Sequence, residues 1–89
     1  MSLILTRKAW QAVQVGDRVV TVERVARANV NLSVGKCVHN CAPGDTIILE
    51  PGVTITVVTI AKGHVRLAFD APKHVKIVRT ELVEHALNS

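Results

Sequence analysis

Residues 55–69 read ITVVTIAKGHVRLAF, and residues 20–34 read VTVERVARANVNLSV. Laid over each other at an offset of 35, they share Thr21/Thr56, Val22/Val57, Ala26/Ala61, Val30/Val65 and Leu32/Leu67. Much of each stretch alternates apolar with polar residues, the period of a strand with one face buried. A period of this length means either a solenoid or a duplication. Two copies are too few to stack a solenoid, so the chain reads as one unit written twice.

Working outward, strand chemistry continues in both directions. RVVTV (18–22), NVNLSV (29–34), TIIL (46–49), VTITVVTI (53–60) and HVRLAF (64–69) are β-branched and partly alternating. Val53, Ile55 and Val57 fall on one side of their strand, with Thr54 and Thr56 on the other. Val30, Leu32 and Val34 repeat the pattern. Turn residues stand between the runs: Gly16-Asp17, Pro43-Gly44-Asp45, Pro51-Gly52, Lys62-Gly63 and Ala71-Pro72. Short strands joined by tight turns predict an antiparallel all-β fold. One short C-terminal α-helix is expected after the N-cap Thr80. Glu81 and Glu84 suit its positive end, and Leu82, Val83, Ala86 and Leu87 form a narrow apolar stripe. So short a helix must dock or fray.

With 89 residues the chain is a single small domain, and hydrophobic residues make up 48% of it. No apolar run is long enough to span a membrane. The start MSLILTRKAW is apolar and then basic, the reverse of a secretory leader, so a cytoplasmic protein is expected. Lys and Arg number 11 against 7 Asp and Glu, which favours a polyanionic partner without identifying one. Cys37 and Cys41 are expected to be reduced thiols.

Two motifs go further. APKHVKIVR (71–79) lies near one end of the chain and SLILTRK (2–8) at the other, followed by VQVGD (13–17). With the strands between them they resemble the carbon storage regulator (CsrA/RsmA) family of translational repressors. The resemblance implies an intertwined dimeric fold in which the first strand of one subunit and the last strand of the other make each of two RNA sites. In this chain the first copy (1–34) has the LILTRK strand but stops before a last strand. The second copy (44–89) keeps the last strand, but VHNCA (38–42) holds the place of its first. The resemblance therefore implies an internal pseudo-dimer in one chain, with one site kept and one deleted. Residues 35–43 are then a linker or a degenerate strand. Nine extended residues span at most about 30 Å, enough to cross a small sandwich.

The chemistry so implied is binding, not catalysis. The family recognises GGA motifs in the loops of mRNA and small regulatory RNA, and blocks translation by occupying ribosome-binding sites. Single-stranded loops present base edges free of pairing. Carried over residue by residue, the site comprises Leu5, Thr6, Arg7 and Lys8 from the first strand. Ala71, Pro72, Lys73, Val75, Ile77 and Arg79 come from the end of the second copy. Arg79 matches the family's principal arginine, whose planar fork suits phosphate or guanine. His74 and Lys76 add outward charge. No cofactor or metal is implied, and a monomer is favoured, with further dimerisation left open.

Departures from the pattern bear on the reading. Trp10-Gln11 replaces the usual Gly-Glu turn, and Trp10 is read as a packing residue with base stacking as the alternative. Asn29 and Asn31 stand where the second copy has His64 and Arg66, so the first copy is read as the more structural half. Val78 stands where relatives often carry a polar residue. Cys37, His39 and Cys41 alternate, which would set three metal ligands on one side of a strand; a degenerate first strand or loop is the preferred reading. No nucleophile–base arrangement or Gly-rich phosphate loop supports an enzyme. The alternative function is a protein-interaction module that antagonises or partners a homodimeric relative.

Overall fold

The structure is a computed structural model that describes residues 2–79. Nine strands run β1 (Ser2–Lys8), β2 (Ala12–Val15), β3 (Arg18–Val25), β4 (Val30–Val34), β5 (Cys37–Cys41), β6 (Thr46–Glu50), β7 (Val53–Ala61), β8 (His64–Asp70) and β9 (Ile77–Arg79). The all-β antiparallel expectation is met. The C-terminal helix expected from Thr80 onward lies outside the described residues.

The strands form two sheets, one of four in the order β1-β8-β7-β6 and one of five in the order β5-β4-β3-β2-β9. Each contains a meander of three consecutive strands, β2-β3-β4 in one and β6-β7-β8 in the other. Each meander is extended beyond its last strand: by β5, the next strand in sequence, beside β4, and by β1, from the start of the chain, beside β8. The β3–β4 register slips between Val22 and Arg24, and the β7–β8 register slips between Val57 and Thr59. Those two positions are the same at the offset of 35 that relates the sequences. The repeat is thus carried into the bulges, which bend the strands of both sheets alike.

The ends of the chain interlock the layers. β1 precedes the first meander yet pairs with β8 of the second, from Ser2 opposite Asp70 to Lys8 opposite His64. β9 follows the second meander yet pairs with β2 of the first, Arg79 opposite Val13. Alternation sends Val13, Val20, Val22, Val30 and Leu32 inward from one sheet and Ile55, Val57, Val65, Leu67 and Phe69 from the other, all fully buried. One continuous apolar core results.

Two expectations are adjusted. The last strand, read within APKHVKIVR (71–79), begins only at Ile77. Pro72 opens a turn closed by the Val75 amide donating to its carbonyl (3.0 Å), so residues 72–75 cannot join a ladder. The segment read as linker or degenerate strand is a strand, β5, hydrogen-bonded to β4 from Cys37 opposite Val34 to Cys41 opposite Val30. Gly35, at φ 61°, supplies the left-handed turn that makes the hairpin possible.

Phe69 is the largest fully buried side chain. Phe69→Ala should lower stability by about 3–5 kcal/mol. Urea denaturation followed by circular dichroism measures this; the only tryptophan is exposed and would report unfolding poorly.

Candidate nucleic-acid interface

β1 is an edge strand, paired on one side with β8. Its alternation turns Leu3, Leu5 and Arg7 toward the core and Ile4, Thr6 and Lys8 outward. Arg7 is only 4% exposed, the one buried charged residue among those described. Its Nε donates to the Thr6 carbonyl (2.8 Å), and no buried side-chain nitrogen or oxygen among the described residues lacks a partner. Thr6 lies opposite Arg66 and Lys8 opposite His64. Lys8 and Arg66 are exposed, and His64 is half-buried with its Nδ1 at 3.0 Å from the Lys62 carbonyl. The outer face of this edge is therefore cationic.

β9 borders the other sheet. A three-residue turn, 9–11, ties β1 to β2, and β2 pairs with β9. The β1 edge of one layer and the β9 edge of the other consequently lie on the same side of the sandwich. Of the residues expected here, Pro72, Lys73 and Arg79 are exposed, as are His74 and Lys76. Ala71 and Val75 are buried, and Ile77 is half-buried. The Gly16 amide donates to the Lys76 carbonyl (2.8 Å) and so fixes the start of β9. Gly16 turns at φ 59°, beside Val75, whose Cγ1 would make ordinary contact (3.5 Å) with a Cβ placed there. Leu5, Arg7, Ala71 and Val75 thus hold the platform from beneath. Thr6, Lys8, Pro72, Lys73 and Arg79 offer their side chains to solvent.

The opposite side of the sandwich gives an internal comparison, because β5 meets β4 as β1 meets β8. The equivalent of Thr6 opposite Arg66 is Asn40 opposite Asn31, joined by Asn40 Nδ2 donating to Asn31 Oδ1 (2.6 Å). At an offset of 34, Arg7 and Lys8 correspond to Cys41 and Ala42. Cys41 is as buried as Arg7, at 4% exposure. The turns that follow match bond for bond. Lys8 N donates to Gln11 Oε1 (2.9 Å), as Ala42 N does to Asp45 Oδ2 (2.8 Å). Gln11 N donates to the Lys8 carbonyl (3.1 Å), as Asp45 N does to Ala42 (3.0 Å). Trp10 N donates to the Val22 carbonyl, as Gly44 N does to Val57. The backbone is kept on both sides, and at these equivalent positions cations stand on one only; the other side has exposed Arg24 across from Asn31 and Lys36 in the β4–β5 turn.

Two residues gain weight that the sequence alone did not give them. Arg66 stands directly across from Thr6, a placement signalled only by the exchange of His64 and Arg66 for Asn29 and Asn31 between the copies. Trp10, read as a packing residue, is 75% exposed. The three candidate ligands of CVHNC do not share one environment: Cys37 is exposed, His39 half-buried and Cys41 in the core. No cluster of three or more His, Cys, Asp or Glu side chains suited to a metal occurs among the described residues. No helix among them is long and apolar enough to cross a membrane.

Comparison with known proteins points one way. The model of the CsrA global regulator protein family matches residues 42–87. The translational regulator CsrA of Caldicellulosiruptor bescii is 40% identical over 45 residues, 51% of this chain and 58% of that protein. The translational regulator CsrA of Hydrogenovibrio crunogenus is 48% identical over 40 residues, 45% of this chain and 57% of that protein. The Thermotoga maritima translational regulator CsrA is 44% identical over 41 residues, 46% of this chain and 49% of that protein. The chain spans about half the length of the curated relatives it matches. No solved structure matches. The family match begins just after β5, so it takes in β6 to β9 and leaves β1 to β5 outside.

Burial, followed by the nearby Asp45 carboxylate, raises the Cys41 thiol above its ordinary value. Its neutral form is therefore favoured in the fold. That contribution to stability is present at neutral pH and is lost as pH rises through the thiol range. In the native protein a disulfide reagent at pH 8 should modify Cys37 quickly and Cys41 only on unfolding. Thiol counting should give one fast group per chain without denaturant and two with it.

Proposed function

The chain belongs to the CsrA family of global regulators, and from that premise we propose that it binds RNA and represses translation through one site per chain, formed by β1 and β9. The observation that carries this reading is the contrast between the two sides of the sandwich. Where β1 and β8 supply Arg7, Lys8, His64 and Arg66, the equivalent positions in β5 and β4 hold Cys41 and Asn31, and those just beyond the two strands hold Ala42 and Asn29. A polyanion is attracted to the first side and meets uncharged residues at the equivalent positions of the second.

The site reads a GGA motif in a hairpin loop. Edge-strand backbone groups and the Thr6 hydroxyl meet base edges left unpaired by the loop. Arg79 grips guanine or phosphate with its planar fork, and Lys8, Arg66 and Lys73 follow the backbone. Arg7 acts from beneath, holding the Thr6 carbonyl in place. The internal duplication does the work of a second subunit. Fusing the copies removes the loss of translational freedom that two separate chains would suffer on assembly.

A second reading rests on β6. It ends its sheet, whereas the equivalent β2 carries β9. Ile48 on β6 is 71% exposed. An extended segment of another protein could add there by strand pairing. Partners retained after RNase treatment would favour that reading.

Arg79→Ala should weaken binding to a GGA-loop hairpin by about 10- to 100-fold, the worth of a charged hydrogen bond, with an unchanged circular dichroism spectrum. Asn31→Ala on the opposite side should bind as wild type. Native mass spectrometry should show one chain with one RNA. A complex of two chains with two RNAs would contradict the single-chain site.

A further inference from the structure

We propose that Trp10 is a stacking platform of this interface, its indole taking the face of an unpaired nucleobase next to the recognised motif; the inference rests on the RNA-binding reading above. Trp10 has φ 70°, in the left-handed region that side chains with a Cβ rarely adopt. Its counterpart Gly44, at φ 96°, makes the same turn with the matching hydrogen bonds. Glycine is the residue that suits this conformation. The turn therefore does not need a tryptophan, and the conformation is harder to hold with one.

Packing does not compensate. The indole is three-quarters exposed and stands outside the core. A large aromatic held in strain and pointed into solvent is a feature that a ligand would explain. Its surroundings indicate which ligand. Trp10 follows Lys8 at the end of the cationic edge. β9 runs antiparallel to β2, with Arg79 opposite Val13, so β9 heads toward the turn that bears Trp10. An aromatic face beside cations is what proteins use to hold single-stranded nucleic acid. The turn is also fixed in advance. Lys8 and Gln11 bond reciprocally, and the Trp10 amide is tied to Val22 of β3. Little conformational freedom is left to lose on binding.

The chain has one tryptophan and no tyrosine, so its fluorescence reports this residue alone. Titration with a GGA-loop hairpin should quench the emission with the same midpoint as binding measured by calorimetry. Trp10→Gly should weaken binding by about 5- to 100-fold without lowering the thermal midpoint, since it relieves strained backbone. Trp10→Phe should recover part of the affinity. If Trp10→Gly binds as tightly as wild type while Arg79→Ala loses affinity, the stacking role falls and the interface stands. If wild-type protein binds no RNA, the proposed function falls and this inference with it. Loss of a protein partner, rather than of RNA, on Trp10→Gly would also overturn it.

Discussion

The pairing of β1 with β8 is the constraint on which the rest of the structure depends. It joins residues at opposite ends of the described chain, Ser2 opposite Asp70. Without it β8 would be a bare edge, with three strands left in that sheet. Its register fixes every side chain of β1, because a slip of one residue exchanges the two faces of a strand. In the observed register Leu5 and Arg7 go under and Thr6 and Lys8 go out. The same register sets Arg66 against Thr6 and His64 against Lys8. The cationic face is thus a by-product of how the core is filled. Such long-range pairing also delays folding, since the chain between must be closed before the contacts form.

Burying a guanidinium is expensive unless its donors are met. Arg7 is met in part by the carbonyl of its own neighbour, Thr6. Its place on the other side of the sandwich is taken by a thiol, which needs far less. Cys41 fills the equivalent space, and burial holds its proton on. The thiol fills the space without the hydrogen-bonding demand of a guanidinium, as a strand held by packing alone allows. The hydrogen-bonded Asn40–Asn31 pair makes the same point at the surface. It supports the β4–β5 ladder and offers no charge to a polyanion.

Much of the architecture was legible in the sequence. Alternation in VTITV and NVNLSV sorted the buried faces correctly, and the repeat anticipated two equivalent meanders. The short β9 was harder to read, because APKHVKIVR alternates like a strand throughout; only the turn closed by Val75 onto Pro72 halts the ladder. Arg7 was legible in principle, sharing its face with Leu3 and Leu5, but a basic pair at a strand end reads as surface charge. Trp10 was not legible as an exposed residue. Large aromatics usually enter cores, and nothing in AWQA reveals a left-handed backbone. The Gly-Glu turn that Trp10-Gln11 replaces hints at it, and the matching turn at Gly44 makes it plain.

The proposed duplication also bears on valency. A regulator with two equal sites can hold two motifs of one RNA and gain from their effective concentration. Here the side opposite the candidate interface keeps the matching backbone, turn and hydrogen bonds, with Cys41, Ala42 and Asn31 at the positions equivalent to Arg7, Lys8 and Arg66. The fold therefore separates two things that a symmetric dimer must keep together. Each meander supplies the surface on which a terminal strand of the chain is seated. Both terminal strands come to the same side of the sandwich, the side of the proposed site. In the proposed one-site reading the two sides are encoded by different residues and are free to differ. This freedom lets one edge carry Lys8, Arg66 and a strained Trp10 while the opposite edge carries an alanine, an asparagine and the glycine its turn prefers.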